Sequence, residues 1–223
     1  MKTILIILIL LPIMCWANLV FAGSIIVVER PGISLIQDEE GDLFLQDCVP
    51  GDLVSPCSLP PGVPATSPPW TDINMVKVQQ VGREWVDFTI TTYGDIPEDS
   101  PFWFTFAVVF DFSCLADRND GFRVIYQWGY WSANWITITS CDPRVVIQGE
   151  SIPSLTIRGN TVKVRVSIDD LYKTVPYGDP LPWLAIARRI GYATSEGYNT
   201  KTIDIVPGDP LSEDPEFGIF EPR

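Results

Sequence analysis

The stretch TVKVRVSI, Thr161 to Ile168, alternates without a break: Val162, Val164, Val166 and Ile168 fall on one side, Lys163, Arg165 and Ser167 on the other. Successive side chains of a β-strand leave on opposite faces, so this pattern predicts a strand with one face in the core and one in water. Gly159-Asn160 just ahead of it has the chemistry of a hairpin turn. EWVDFTITT, Glu84 to Thr92, repeats the design, with Val86, Phe88 and Ile90 inward and Asp87, Thr89 and Thr91 outward, and it stops at Tyr93-Gly94-Asp95-Ile96-Pro97. From Trp85 onward a period of two dominates. The one helical turn expected lies at Ile168 to Tyr172.

PFWFTFAVVFDF, Pro101 to Phe112, is apolar on both faces, as befits a central strand that is covered twice or lines a groove. FRVIYQW (Phe122 to Trp128) and NWITITS (Asn134 to Ser140) follow it, with Gly129 to Ala133 as the connection, and the three predict an antiparallel meander. WLAIARRI (Trp183 to Ile190) and KTIDIV (Lys201 to Val206) supply the last strands. Six or more short strands with regular turn signals predict an all-β fold, a two-sheet antiparallel β-sandwich of jelly-roll or immunoglobulin-like type, with a closed barrel as the alternative.

Outside these strands the chain divides by composition. Residues 1–22, MKTILIILILLPIMCWANLVFA, place Lys2 before a long apolar run and end on Val20-Phe21-Ala22, the pattern of a cleaved signal peptide. The expected mature domain spans residues 23–206, long enough to bury roughly 70% of its unfolded surface in one core. Within it, Cys48 to Trp70 is too rich in proline for regular structure and reads as a surface loop. Residues 207–223, PGDPLSEDPEFGIFEPR, are acidic and proline-rich and read as an exposed tail.

Export makes the cysteine count meaningful. Cys15 leaves with the signal, and Cys48, Cys57, Cys114 and Cys141 remain, an even number in an oxidising compartment, so two disulfides are expected. Of three formal pairings, Cys48 with Cys57 closes a short loop, and Cys114 with Cys141 joins the exits of the first and third meander strands, which lie at one end of the sheet.

Charge and composition exclude several classes of function. The chain has 28 acidic and 15 basic residues, a formal net charge of −13, and its basic residues cluster nowhere beyond Arg188-Arg189. Nucleic acid and anionic membrane are therefore not expected partners, since both are bound by displacing counterions with Lys and Arg. No histidine is present. Triads that need imidazole, histidine-ligated zinc and histidine-ligated haem are excluded with it.

The motifs QDEEGD (Gln37 to Asp42), TDINMVKV (Thr71 to Val78), DFTITTYGDIP (Asp87 to Pro97), Phe110-Asp111, GNTVKVRVSIDDL (Gly159 to Leu171) and Trp183 follow one another in an order that resembles secreted bacterial and archaeal sandwich domains, namely family-nine carbohydrate-binding modules and DOMON-like domains. The resemblance covers most of residues 37–206. It implies a sandwich and, for the sugar-binding relatives, a ligand site built on a pair of tryptophans. The haem-binding relatives use a methionine and a histidine, and this chain lacks the histidine.

Candidate ligand residues concentrate in YQWGYWSANW: Tyr126, Trp128, Trp131 and Trp135, with Trp131 in the connection as the ring expected to be most exposed. An indole offers a flat apolar face to a pyranose at low entropic cost, although rings of this kind more often fill a core. Asp38, Asp42 and Asp72 are candidate ligands for a structural calcium ion. Asp117 to Gly121 is one residue short of an EF-hand spacing and reads as a turn. Glu84 with Asp87, or Asp111 with Glu150, would be the carboxylate pair of a glycosidase. The expectation is an extracytoplasmic binding domain for polysaccharide. The alternatives are a structural or adhesive envelope protein that binds cell-surface proteins or oligomerises, and, third, a carboxylate glycosidase.

Overall fold

The computed structural model describes residues 25–41, 44–46, 69–100, 103–110, 121–127, 129–141, 144–173, 176–190, 193–194, 197–198, 201–206 and 217–223, with backbone alone in parts of the strands. The strands, in chain order, are β1 (Ile25–Arg30), β2 (Ile33–Gln37), β3 (Phe44–Gln46), β4 (Ile73–Val81), β5 (Trp85–Thr92), β6 (Trp103–Phe110), β7 (Gly121–Gln127) and β8 (Tyr130–Cys141). There follow β9 (Arg144–Ser151), β10 (Leu155–Arg158), β11 (Thr161–Ser167), the one-turn helix α1 (Ile168–Leu171), β12 (Leu181–Ile190), β13 (Ala193–Thr194), β14 (Gly197–Tyr198), β15 (Lys201–Val206) and β16 (Gly218–Phe220). Apart from β13 and β14, which pair only with each other, they form a two-sheet antiparallel β-sandwich. One sheet has six strands in the order β1-β2-β4-β5-β11-β10; the other has eight, in the order β3-β15-β12-β6-β7-β8-β9 with β16 also on β12.

The alternation of Thr161 to Ile168 and of Val86 to Ile90 determines what faces the core: Val86, Phe88, Ile90, Val162, Val164, Val166 and Ile168 are all buried there. Across from them Phe104, Phe106, Val108 and Phe110 of β6 and Phe122, Val124 and Tyr126 of β7 complete one apolar cluster. Phe88 stands edge-on to both Phe110 and Phe122, at 5.4 and 5.1 Å between centroids, which ties the sheets together. The other face of β6 is buried too, at Ala107 and Val109, as its unbroken apolar run predicts. The hairpin at Gly159-Asn160 forms, with Gly159 at positive φ. Thr92 and Asn160 lock it by reciprocal bonds between the strand end and the turn.

Strands β1, β2 and β4 precede Trp85 and make half of the six-stranded sheet. Two expectations change. The β7–β8 hairpin is tighter than the sequence suggests: Gln127 pairs with Tyr130, Gly129 takes φ 82°, and Trp131 to Ala133 belong to β8 and not to a connection. The larger correction concerns residues 207–223. Residues 217–223 are not a tail, because Gly218, Ile219 and Phe220 pair with Trp183, Pro182 and Leu181 of β12.

Strand β16 continues the path of β15. Val206 pairs with Ala185 and Gly218 with Trp183, in the same direction along the same edge of β12. β15 and β16 thus lie end to end along one edge of β12. Beyond it the Gly32 amide donates to the Glu221 carbonyl, the Arg223 amide to Gln80 Oε1 and Arg223 Nε to the Pro31 carbonyl. Residues 1–22, Cys48, Cys57, Cys114 and residues 207–216 lie outside the described residues, as does the side chain of Cys141, and with them the expected leader and disulfides.

Candidate functional site

The short strand β10 lies opposite Thr161 to Val164 and no further. Arg165, Val166 and Ser167 therefore have β5 on one side and no strand on the other. The chain crosses from β9 of one sheet to β10 of the other through Ile152, Pro153 and Ser154, with the Ile152 amide bound to the Ala133 carbonyl and the Arg165 amide to the Ser154 carbonyl. Ile152 plugs the core, and the gap left beside β11 is an open groove of about 520 Å³.

Two indoles line this groove, Trp85 and Trp135, together with Glu150, Ser151, Ser154, Arg165, Ser167 and Asp170. Trp135 is 7% exposed and stands edge-on to Phe122, so its indole is held in the wall. Trp85 is 42% exposed. It opens β5 in the same outward register as Asp87, opposite Ser167. Ser167 caps α1, its hydroxyl accepting from the Asp169 and Asp170 amides, and so sets the rim on which Asp170 sits. Asp170 pairs with Lys173 at 2.8 Å.

Arg165 is oriented by Asp87. Its Nε and Nη2 donate to the two carboxylate oxygens at 2.5 and 2.8 Å, and Lys163 reaches the same carboxylate at 2.6 Å. Burial alone would push the Asp87 carboxyl up, but the hydrogen bonds and charges of Arg165 and Lys163 together outweigh it and hold the group below the usual 3.8. A carboxyl whose folded value is lowered stabilises the fold fully above its unfolded value, and the contribution is lost as pH falls below 3.8 toward the folded value. Asp87→Asn is expected to cost about 1–3 kcal/mol at neutral pH and to flatten the acid limb of stability against pH, measured by urea unfolding. In this arrangement Asp87 is an ion-pair anchor, and Glu84 is exposed. Asp111 lies outside the described residues.

The residues expected to hold a ligand are distributed differently. Tyr126 is fully buried, stacked on Phe104 at 4.7 Å, with its hydroxyl on Asp99, so it presents no face to a ligand. Trp131 is half-buried and packs on Phe104, Phe106 and Tyr126, because its register in β8 turns it inward. Trp128 lies outside the described residues. Trp135 does reach a groove, but its partner there is Trp85. The signal for Trp85 was present in EWVDFTITT: a tryptophan in the outward register of a strand whose core face is already complete.

Of the metal candidates, Asp38 and Asp72 are both buried at one end of the β2–β4 pair, where the Gly41 amide donates to Asp72 Oδ2 and the Tyr93 hydroxyl to the Asp38 carbonyl. Asp42 lies outside the described residues. Among those described, no three Asp, Glu, His or Cys side chains converge.

The fold and its groove together define a class: a two-sheet antiparallel β-sandwich with an open, tryptophan-bearing cleft where the chain crosses between sheets. Compared with protein-family models, curated proteins and solved structures, the chain matches none.

Proposed function

We propose that the protein is an exported, non-catalytic binding domain that holds a carbohydrate in the groove between Trp85 and the Glu150 to Ser154 crossing. The observation that carries this reading is the pairing of an exposed indole with hydroxyl, carboxylate and guanidinium groups along one open cleft. A flat apolar face stacks on the C–H face of a sugar ring, and convergent polar groups take its hydroxyls. The resemblance to sugar-binding sandwich domains and the export signal support the same reading.

The test is a glycan array with insoluble-polysaccharide pull-down on the purified protein, with and without calcium. Trp85→Ala is expected to weaken binding by about 30-fold or more, as loss of a central aromatic anchor does, while the melting temperature stays close to wild type. Retention of full binding by Trp85→Ala would remove the groove from the reading.

A second reading, a structural or adhesive protein acting through sheet-edge contacts, is favoured by β1. Its Ile26 and Val27 are 47% and 49% exposed on an edge strand. Apolar edges of this kind recruit further strands. If that reading holds, Val27→Lys turns a concentration-dependent oligomer into a monomer in sedimentation; a wild-type monomer at all concentrations would exclude self-assembly through this edge.

A further inference from the structure

We infer that the glycan taken by this groove carries primary ammonium groups, an amino sugar polymer, and that Glu150 receives the ammonium beside the Trp85 ring. This inference rests on the carbohydrate reading of the same groove. It begins with the charges that line the cleft: Glu150 and Asp170 against Arg165. Arg165 directs two of its N–H groups at the Asp87 carboxylate and is held there. Lys163, the other base on Asp87, does not line the cleft. Lys173 pairs with Asp170 and also feels the charge of Glu150, so one ammonium serves two carboxylates on this rim. Glu150 is the lining carboxylate that forms no ion pair with another described residue, and its residue is exposed.

An exposed indole lining the same groove as a carboxylate that shares Lys173 with Asp170 suits a cation bound to a flat ring. The ammonium gains Coulomb attraction from Glu150 and quadrupole attraction from Trp85, and the sugar ring stacks on the remaining indole face. The field of the whole molecule acts in the same direction, since a formal net charge of −13 draws polycations in and turns uronate or sulfated polymers away. Neutral glucans satisfy the stacking contact but bring no charge to Glu150, which shares Lys173 with Asp170.

The experiment measures binding of four probes by calorimetry at low ionic strength and at a pH that keeps the amine protonated. The probes are a glucosamine oligosaccharide, its fully N-acetylated counterpart, a cello-oligosaccharide of equal length, and oligolysine of equal charge. The glucosamine oligomer is expected to bind about fivefold more tightly than the acetylated one, the preference one exposed charge pair supplies, and to lose that preference in high salt. Glu150→Gln, an exposed substitution, should bring the two affinities together, and Trp85→Ala should weaken both. Equal affinity for glucosamine, acetylated and cello-oligomers would overturn the ammonium inference and leave the carbohydrate reading intact. No binding of any glycan would overturn both. Oligolysine bound as tightly as the glucosamine oligomer, with the neutral sugars unbound, would replace the amino sugar by a basic peptide and so overturn the inference.

Discussion

Phe220→Ala is expected to lower stability by about 3–5 kcal/mol, read from urea unfolding, although the residue lies only a few positions from the last one in the sequence. Phe220 is 1% exposed and belongs to the main core cluster. Its strand completes an edge of β12 that β15 fills only from Ala185 to Arg189. Truncation of the ring leaves a cavity that neighbouring strands cannot close without breaking the pairing of Leu181 with residue 220. A loss of that size is a large part of the 5–15 kcal/mol that typically separates folded from unfolded domains, on the order of what a single core position can decide. Deletion of residues 217–223 should cost more, because it also removes the hydrogen bonds to Gly32, Gln80 and Pro31. An exposed tail would give a change below about 0.5 kcal/mol for either variant, so the two outcomes are well separated.

Trp183→Ala should be comparably damaging, at about 3–5 kcal/mol, and for a reason that couples both sheets. The indole is fully buried, and its Nε1 donates to Ser34 Oγ of β2 at 3.3 Å. It also lies close against Gly218, where a Cβ would run into the ring. Removing it opens a cavity, strips Ser34 of that donor and withdraws the surface on which β16 rests. The check is a double-mutant cycle. Ser34→Ala alone is expected to cost about 1 kcal/mol and to cost close to nothing in the Trp183→Ala background, since the hydrogen bond it removes is already gone. Additive losses would show that the bond between the sheets contributes nothing measurable.

Much of the architecture was legible because alternation is a local property. Val162 to Ile168 and Val86 to Ile90 carry their own burial pattern; Gly82 and Gly94 flank the second, Gly159 precedes the first, and Ser167 ends it by capping α1. The doubly apolar run of β6 identified itself as a central strand by the same logic. The site was harder to read for a physical reason: exposure is a property of the whole surface, not of a residue. YQWGYWSANW concentrates aromatics, yet Tyr126 and Trp131 serve the core once β7 and β8 adopt the register Tyr126 opposite Trp131. Trp85 looked like the start of an ordinary strand until β10 proved too short to cover Arg165 to Ser167.

By itself, then, the sequence determined the all-β class, the core faces of β5, β6 and β11, the hairpin at Gly159 and the absence of any histidine chemistry. Each of these depends on residue type or on spacing within about ten positions. Tertiary structure alone decided that Trp85 and Trp135 share a groove, that Arg165 is held by Asp87, and that Gly218 to Phe220 complete the strand path begun at Lys201. Those outcomes follow from strand order and strand length, which bring together residues far apart in the chain. Proline and acidic composition marked the approach to Gly218 as polar, but a strand of three residues gains its order from Trp183 and the β12 edge, not from its own propensity.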